Sequence, residues 1–279
     1  MDAERLKENA AKLRTNDVVL ASFPRSGSLW LRSLLYNAWE VSKGGPLPPR
    51  GFLSSAFSPT LELPAFTSAE APREVFRLVK THQGYGLISA SGWRGKTIVL
   101  FRRPEDCFAS AWTKSVKASK LSHHSPETRK LAQRVGRGVE AYVREHALPC
   151  WRDHSLGFLS AFAKRPEALI FVSYERLHER PGETLDGLLE WMGVHLDSAR
   201  LDSIVENCAF APVLAKARKI SGMASLPLWR GKPGGGKQVL GTDLQAHVEE
   251  ELGALYRQMQ EAMATSWRRE RRPSISSQP

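Results

Sequence analysis

The chain has 279 residues, 42% of them hydrophobic and 25% charged, a balance that allows a buried core without metals or disulfide staples. Three cysteines (Cys107, Cys150 and Cys208) exclude a disulfide-rich scaffold. No apolar run approaches the ~18 residues of a membrane helix, and the charged start MDAERLKENAAKLRTND has no apolar signal core, so the expected setting is a reducing, cytoplasmic one. A net charge of +11 favours anionic partners, whether nucleic acid, a membrane surface, or a phosphorylated or sulfated small molecule.

In chain order, residues 1–16 read as an N-terminal extension. The run Val18–Phe23 then reads as a buried strand, followed by a helix over Leu29–Val41. Phe76–Val79 predicts a second short strand. Thr97–Phe101 predicts a third, with a helix from about Glu105. Ala168–Val172 predicts a fourth, followed by a helix from Pro181 to about Gly193, with proline in its first turn and glycine after its last. A final helix starts near Thr242, where Thr242 and Gln245 have capping-box spacing, and Leu244, Val248, Leu252, Leu255 and Met259 recur at helical period. Strands alternating with helices predict an α/β fold: a central parallel sheet flanked by helices, one domain over residues 17–264. The arginine-rich stretch 265–279 reads as a basic, disordered tail. Two segments break the pattern, Gly44–Pro72 and the basic stretch Lys114–Arg129 with His123 and His124, and both read as loops.

Ser22-Phe-Pro-Arg-Ser-Gly-Ser28 falls between a strand and a helix, where backbone N–H groups and the helix dipole can hold an anion. Gly27 lets the backbone approach closely, Ser26 and Ser28 add hydroxyls, and Arg25 adds charge. The plain alternative is a strand-to-helix turn with a serine cap. The pattern GxxxxGK[ST] is absent, which disfavours a magnesium–triphosphate site.

SFPRSGSLW resembles the 5′-phosphosulfate loop of the cytosolic-type sulfotransferases, usually TYPKSGTTW. Further segments follow in the family's order: Lys80-Thr81-His82, KTIVLFRRPEDCFAS over Lys96–Ser110, Val172-Ser-Tyr-Glu-Arg176, Asn207-Cys-Ala-Phe210, and the late loop Trp229–Lys237. Arg25 stands where the family usually has lysine, and Gly236 where the late loop usually has tryptophan. The family's dimerisation pattern is not recognisable after Lys237, so a homodimer is left open.

The resemblance implies a P-loop-like α/β fold and 3′-phosphoadenosine 5′-phosphosulfate as co-substrate, with no metal. It implies His82 as the base that takes the acceptor proton, with Lys80 and Arg25 stabilising charge on the transferring group and the leaving phosphate. An arginine is a poor proton donor, so Arg25 would act by charge alone. The same resemblance assigns Arg25, Ser26, Gly27, Ser28, Leu29 and Trp30 to the loop that holds the donor. Arg102 and Ser110 take its 3′-phosphate, Trp30 and Phe210 its adenine, Tyr174 and Cys208 border it, and Arg230, Gly231 and Gly234 close over it. Each also has a plainer structural reading: His82 as a strand-end histidine, Lys80 as a solvated lysine, Phe210, Trp30 and Tyr174 as core. The expected acceptor is a small hydrophobic hydroxyl (or amine) compound, walled by Phe52, Phe57, Phe66, Tyr85, Trp93 and Trp112. The competing readings are a small-molecule or nucleotide kinase, disfavoured by the missing Walker lysine, and a basic nucleic-acid-binding protein, disfavoured because the basic residues gather at loops and the tail.

Overall fold

The computed structural model describes residues 3–49, 53, 57–63, 66, 77–121, 133, 135–209 and 233–270. Among these residues four parallel strands form one sheet: β1 (Val18–Ser22), β2 (Leu78–Thr81), β3 (Lys96–Phe101) and β4 (Leu169–Ser173), in spatial order β2-β1-β3-β4. The expected α/β fold with a central parallel sheet is what the chain adopts, with β2 lying two residues later than its predicted Phe76–Val79. Every strand but one is buried throughout, and β3 is exposed only at Lys96. This is the pattern of a sheet covered on both faces.

The two-residue period of the strands sorts the core into two layers. Val19, Ala21, Val79, Val99, Phe101, Leu169 and Phe171 face one side. There they meet α1 (Ala3–Ala11) through Ala10, α4 (Pro104–Leu121) through Phe108, α6 (Leu148–Lys164) through Trp151 and Phe158, and the long α11 (Thr242–Glu270). Val18, Leu20, Leu78, Ile98, Leu100, Ile170 and Val172 face the other side. They meet α2 (Ser28–Ser42), α8 (Pro181–Met192) and α9 (Ser198–Asn207). The remaining short helices are α3 (Tyr85–Ala90), α5 (Gly138–Tyr142), α7 (Tyr174–Glu179) and α10 (Lys237–Leu240), and a π-helical turn over Val143–Ala147 joins α5 to α6.

Several expectations shift. The final helix runs through Glu270, with Ser266 and Trp267 buried and the indole Nε1 donating to Phe171 O at 2.7 Å. The tail expected from residue 265 therefore does not begin there: the ring of Trp267 completes the core beneath β4. Residues 3–16 are tied down rather than merely appended, with Leu6 and Ala10 buried and Asn9 Nδ2 donating to Leu61 O at 2.9 Å. Lys114 opens no loop, since α4 continues to Leu121; His123 and His124 lie outside the described residues. Gln245 donates its side-chain amide to Gly241 O at 2.8 Å and Lys237 O at 3.3 Å, so it ties α11 to the preceding turn. Among the described helices, none is long and apolar enough to cross a membrane.

Candidate active site

The chain leaves β1 to reach the outer neighbour β2 and then crosses back to β3. The sheet's switch point thus lies between the carboxyl ends of β1 and β3, the position where open α/β sheets form a ligand crevice. The loop after β1 and the turn after β3 both end there. Gly27 caps α2 with φ +97 and no side-chain cap, so the amino end of this 15-residue helix faces the crevice without a side chain bonded across it. A Cβ on Gly27 would stand 2.5 Å from Tyr174 Cδ2. Glycine is therefore required twice over, by the left-handed backbone and by the packing. Arg25 also has positive φ (76), which turns its side chain across the loop.

Arg25 Nε donates to Ser110 Oγ at 2.9 Å, and Arg102 donates to Arg25 O at 3.4 Å. The two guanidiniums and Ser110 thus meet although 77 and 85 residues separate Arg25 from Arg102 and Ser110 in sequence. Burial, and then repulsion from Arg102, push the Arg25 pKa down to about 10, which still leaves it charged at neutrality. The Arg102 guanidinium stacks 4.3 Å above the ring of Tyr174. On the same side, Trp30 Nε1 donates to Cys208 O at 2.9 Å, and its ring meets Tyr174 and His178 edge-on, each at 6.2 Å. Cys208 contributes its carbonyl here; its thiol is buried and donates to Ser33 O at 3.4 Å. Ser26 departs from expectation: its Oγ is buried against Cys107 Sγ at 3.5 Å and its N–H donates to Phe23 O. The hydroxyl that remains half-exposed in the loop is Ser28, beside Leu29. Phe210, Arg230 and Gly231 lie outside the described residues.

Asp106, in the first turn of α4, ties the late loop to this cluster. Its carboxylate accepts from Gly234 N (2.8 Å), Gly236 N (2.7 Å) and Arg102 (3.2 Å). Gly236 sits so close that a Cβ would meet Glu105 C at 2.9 Å, which accounts for glycine where the related loop has tryptophan.

At the end of β2, His82 Nδ1 lies 2.7 Å from Ser22 O. A carbonyl can only accept, so Nδ1 carries the proton and Nε2 presents its lone pair. Residues 57–61 run beside β2, with Leu78 N donating to Phe57 O, Lys80 N to Pro59 O and Leu61 N to Lys80 O. This strap delivers Glu62 to the Lys80-Thr81-His82 corner. Glu62 accepts from the His82 backbone N–H and from Thr81 Oγ1 (2.9 Å), and lies 3.8 Å from Lys80 Nζ. Burial pushes the Glu62 carboxyl up, but Lys80 and these donors outweigh it and hold it below its usual range. Burial pushes Lys80 down to about 8 and, with the adjacent Lys80 charge, His82 down to about 4. At neutral pH the corner holds an ammonium, a carboxylate and a neutral imidazole.

The expected acceptor wall is partly redrawn. Phe57 packs on Tyr36 and Trp39 (5.3 and 5.0 Å), Phe66 lies in the core under Arg77, and Trp93 donates to Arg14 O. These three are structural. Tyr85 stays by the corner, edge-on to Phe158 at 5.8 Å. Trp112 meets Tyr142 at 5.5 Å, and Phe52 lies outside the described residues. Sequence reasoning missed Glu62 and Asp106. Glu62 had one signal, as one of only two charged residues between Leu47 and Phe66.

These segments are the ones that carried the family resemblance, and the comparisons agree with it. A family described as "Sulfotransferase domain" matches residues 15–227. The chain belongs to the sulfotransferase family. It is 27% identical over 213 residues to cytosolic sulfotransferase 17 of Arabidopsis thaliana, a match covering 71% of this chain and 59% of that protein. It thus spans less than two thirds of that relative's length. The fold is that of mouse sulfotransferase SULT7A1 complexed with PAP (TM-score 0.63, 16% identity, 94% of each chain). It is equally that of retinol dehydratase in complex with androsterone and inactive cofactor PAP (TM-score 0.62, 16% identity, 90% of this chain and 85% of that one).

Proposed function

We propose that this chain transfers the sulfuryl group of 3′-phosphoadenosine 5′-phosphosulfate to the hydroxyl (or amine) of a small, largely apolar acceptor, with His82 as general base. The observation that carries the reading is the convergence of Arg25, Ser110 and Arg102 at the uncapped amino end of α2, on one side of an imidazole whose Nδ1 is committed to Ser22 O. Two guanidiniums, a hydroxyl and a glycine-edged helix terminus are the donor set that a phosphate-bearing nucleotide needs. The nucleotide supplies the sulfuryl group and a phosphate leaving group.

The chain's own residues do the rest. His82 Nε2 accepts the proton of the acceptor hydroxyl. Lys80, charged at neutral pH, and Arg25 stabilise negative charge as it develops on the transferring group and the leaving oxygen. Arg102 and Ser110 hold the 3′-phosphate, while Trp30, fixed by Cys208 O, offers a ring to the adenine. Phe210, Arg230 and Gly231 complete the donor site in this reading. PAP in the mouse structure and androsterone, a small apolar alcohol, in retinol dehydratase support the donor and acceptor classes.

The test is thermal stabilisation. PAP should raise Tm, whereas ATP with magnesium and single-stranded DNA should do so far less at equal concentration. Stabilisation by ATP–magnesium above that by PAP would favour a kinase and contradict the reading.

A further inference from the structure

A carboxylate is costly to bury unless a partner offsets its charge. Glu62 sits at the Lys80-Thr81-His82 corner with its side chain 12% exposed. Its two oxygens do different things. Oε1 accepts from Thr81 Oγ1 at 2.9 Å and from the His82 backbone N–H. Oε2 accepts no hydrogen bond among the described residues and faces the Lys80 ammonium at 3.8 Å. The oxygen of a neutral amide would satisfy Thr81 and His82 equally well. What the charge adds is therefore felt through Oε2, at Lys80.

The strap that carries Glu62 is fixed from three elements. Ser58 Oγ donates to Leu78 O of β2 at 2.7 Å, and Arg32 Nε of α2 donates to Ser58 Oγ at 2.7 Å. Asn9 Nδ2 of α1 donates to the carbonyls on either side of Glu62, those of Leu61 at 2.9 Å and Leu63 at 3.3 Å. The surrounding charges explain why a carboxylate is held there. Arg32, and Lys114 of α4, act on the Lys80 ammonium as like charges and, with burial, favour its neutral form, while Glu62 opposes them. Lys114 is itself pushed toward neutrality by burial and by Arg25. His82 faces Lys80, Lys114 and Glu62, and His154 of α6 feels the charge of His82. Glu62 is the anion in this set.

We propose that Glu62 is a positioning residue of the transfer reaction: one carboxylate oxygen fixes the main chain of His82, and the other balances the Lys80 ammonium against the cations around it. This rests on the reading of Lys80 as a cation that meets the leaving phosphate. Without the carboxylate charge, Lys80 gives up its proton at lower pH, and the corner loses its ammonium within the neutral range.

The experiment measures the affinity for PAP, which carries that phosphate, by calorimetry from acid to alkaline pH in the wild type, Glu62→Gln, Glu62→Asp and Lys80→Met. Wild-type affinity should weaken as pH rises through about 8, where Lys80 loses its proton, and Lys80→Met should lack this break. Glu62→Gln keeps both acceptor bonds and drops the charge, so its break should move down by about one pH unit or more. Glu62→Asp keeps the charge and should hold the break closer to its wild-type position. A merely structural Glu62 predicts a lower Tm for Glu62→Gln with the break unmoved, and an unmoved break overturns the proposal. Should Glu62→Gln not fold, the unaltered protein decides. There the ¹³C resonance of the Glu62 carboxylate should shift as Lys80 titrates, and a resonance with no inflection near pH 8 overturns the proposal. A chain that does not bind PAP, or a break that persists in Lys80→Met, would instead overturn the reading of Lys80 beneath it.

Discussion

His82 can take a proton only while it is neutral, and its surroundings ensure this. Burial and the Lys80 charge lower its pKa to about 4, and burial lowers that of Lys80 to about 8. The unliganded protein therefore holds the pair that the proposed function needs, neutral imidazole and charged ammonium, between those limits. The pH profile of kcat/KM for the donor should fall on the acid side near pH 4 and on the basic side near pH 8. An anionic donor beside both groups favours their protonated forms, so both limbs of kcat should lie at higher pH than those of kcat/KM; coincident limbs would contradict the assignment. The same depression has a sign for stability. His82 and His154 fold as neutral rings with pKa values below the unfolded ~6.5, so the folded state binds fewer protons. Their contribution is complete above about pH 6.5 and is lost as pH falls toward 4. His154→Gln should make Tm fall less steeply between pH 7 and 5 than in the wild type. Gly27 offers a second residue-scale check. Alanine there meets Tyr174 and strains a φ of +97, so Gly27→Ala should weaken PAP binding at least tenfold and lower Tm, read by calorimetry and thermal melts.

At the scale of elements, the site is made by segments that the strands hold in register and by two carboxylates that fasten them. Asp106 binds the 233–236 turn and Arg102 to the start of α4. Asp106→Asn keeps the shape but gives up the charge, and an amide can no longer accept from both glycine N–H groups and Arg102 at equal strength. PAP affinity should drop by about 1.5–3 kcal/mol, while adenosine 5′-phosphosulfate, lacking the 3′-phosphate, should be affected much less; equal losses would place Asp106 outside the 3′-phosphate region. The strands, α2, α8 and α11 were legible in the sequence because their apolar periods are long and their glycines and prolines punctuate them. The loop after β1, the Lys80-Thr81-His82 corner and the Arg102–Ser110 pair were legible as local motifs. Glu62 was not, because the strap that carries it is laid along β2 by backbone hydrogen bonds, joined by Ser58 Oγ donating to Leu78 O, and backbone pairing leaves no side-chain pattern in the sequence. Phe57, Phe66 and Trp93 were misplaced for a related reason: composition shows that a segment is aromatic but not which way its rings turn. Ser26 looked like a ligand donor in the loop, and only the packing of α4 shows that Cys107 claims its hydroxyl.

For the whole molecule, the order β2-β1-β3-β4 puts the segments of the proposed site at one end of the sheet, while the other end is closed by a buried ion pair. Arg77 donates to both carboxylate oxygens of Asp17 at 2.8 and 2.6 Å. Removing one partner strands a buried charge, so Asp17→Ala should cost about 3–5 kcal/mol in a denaturant melt while leaving the pH limbs of activity in place. Trp267→Ala, at the far end of the chain, removes a buried ring that bonds Phe171 O and packs on Gly187. It should cost a similar ~3–5 kcal/mol, a result that a disordered tail from residue 265 could not give. The proposed function turns on whether sulfuryl transfer occurs at this corner under the control of His82. The direct measurement is the rate of labelled product formation from 3′-phosphoadenosine 5′-phosphosulfate by the wild type and His82→Ala, with PAP binding measured on both. The wild type should turn over, kcat should fall roughly 10²–10⁴-fold in the variant, and PAP affinity should stay within a few-fold of wild type. Product formed at the wild-type rate by His82→Ala would contradict it.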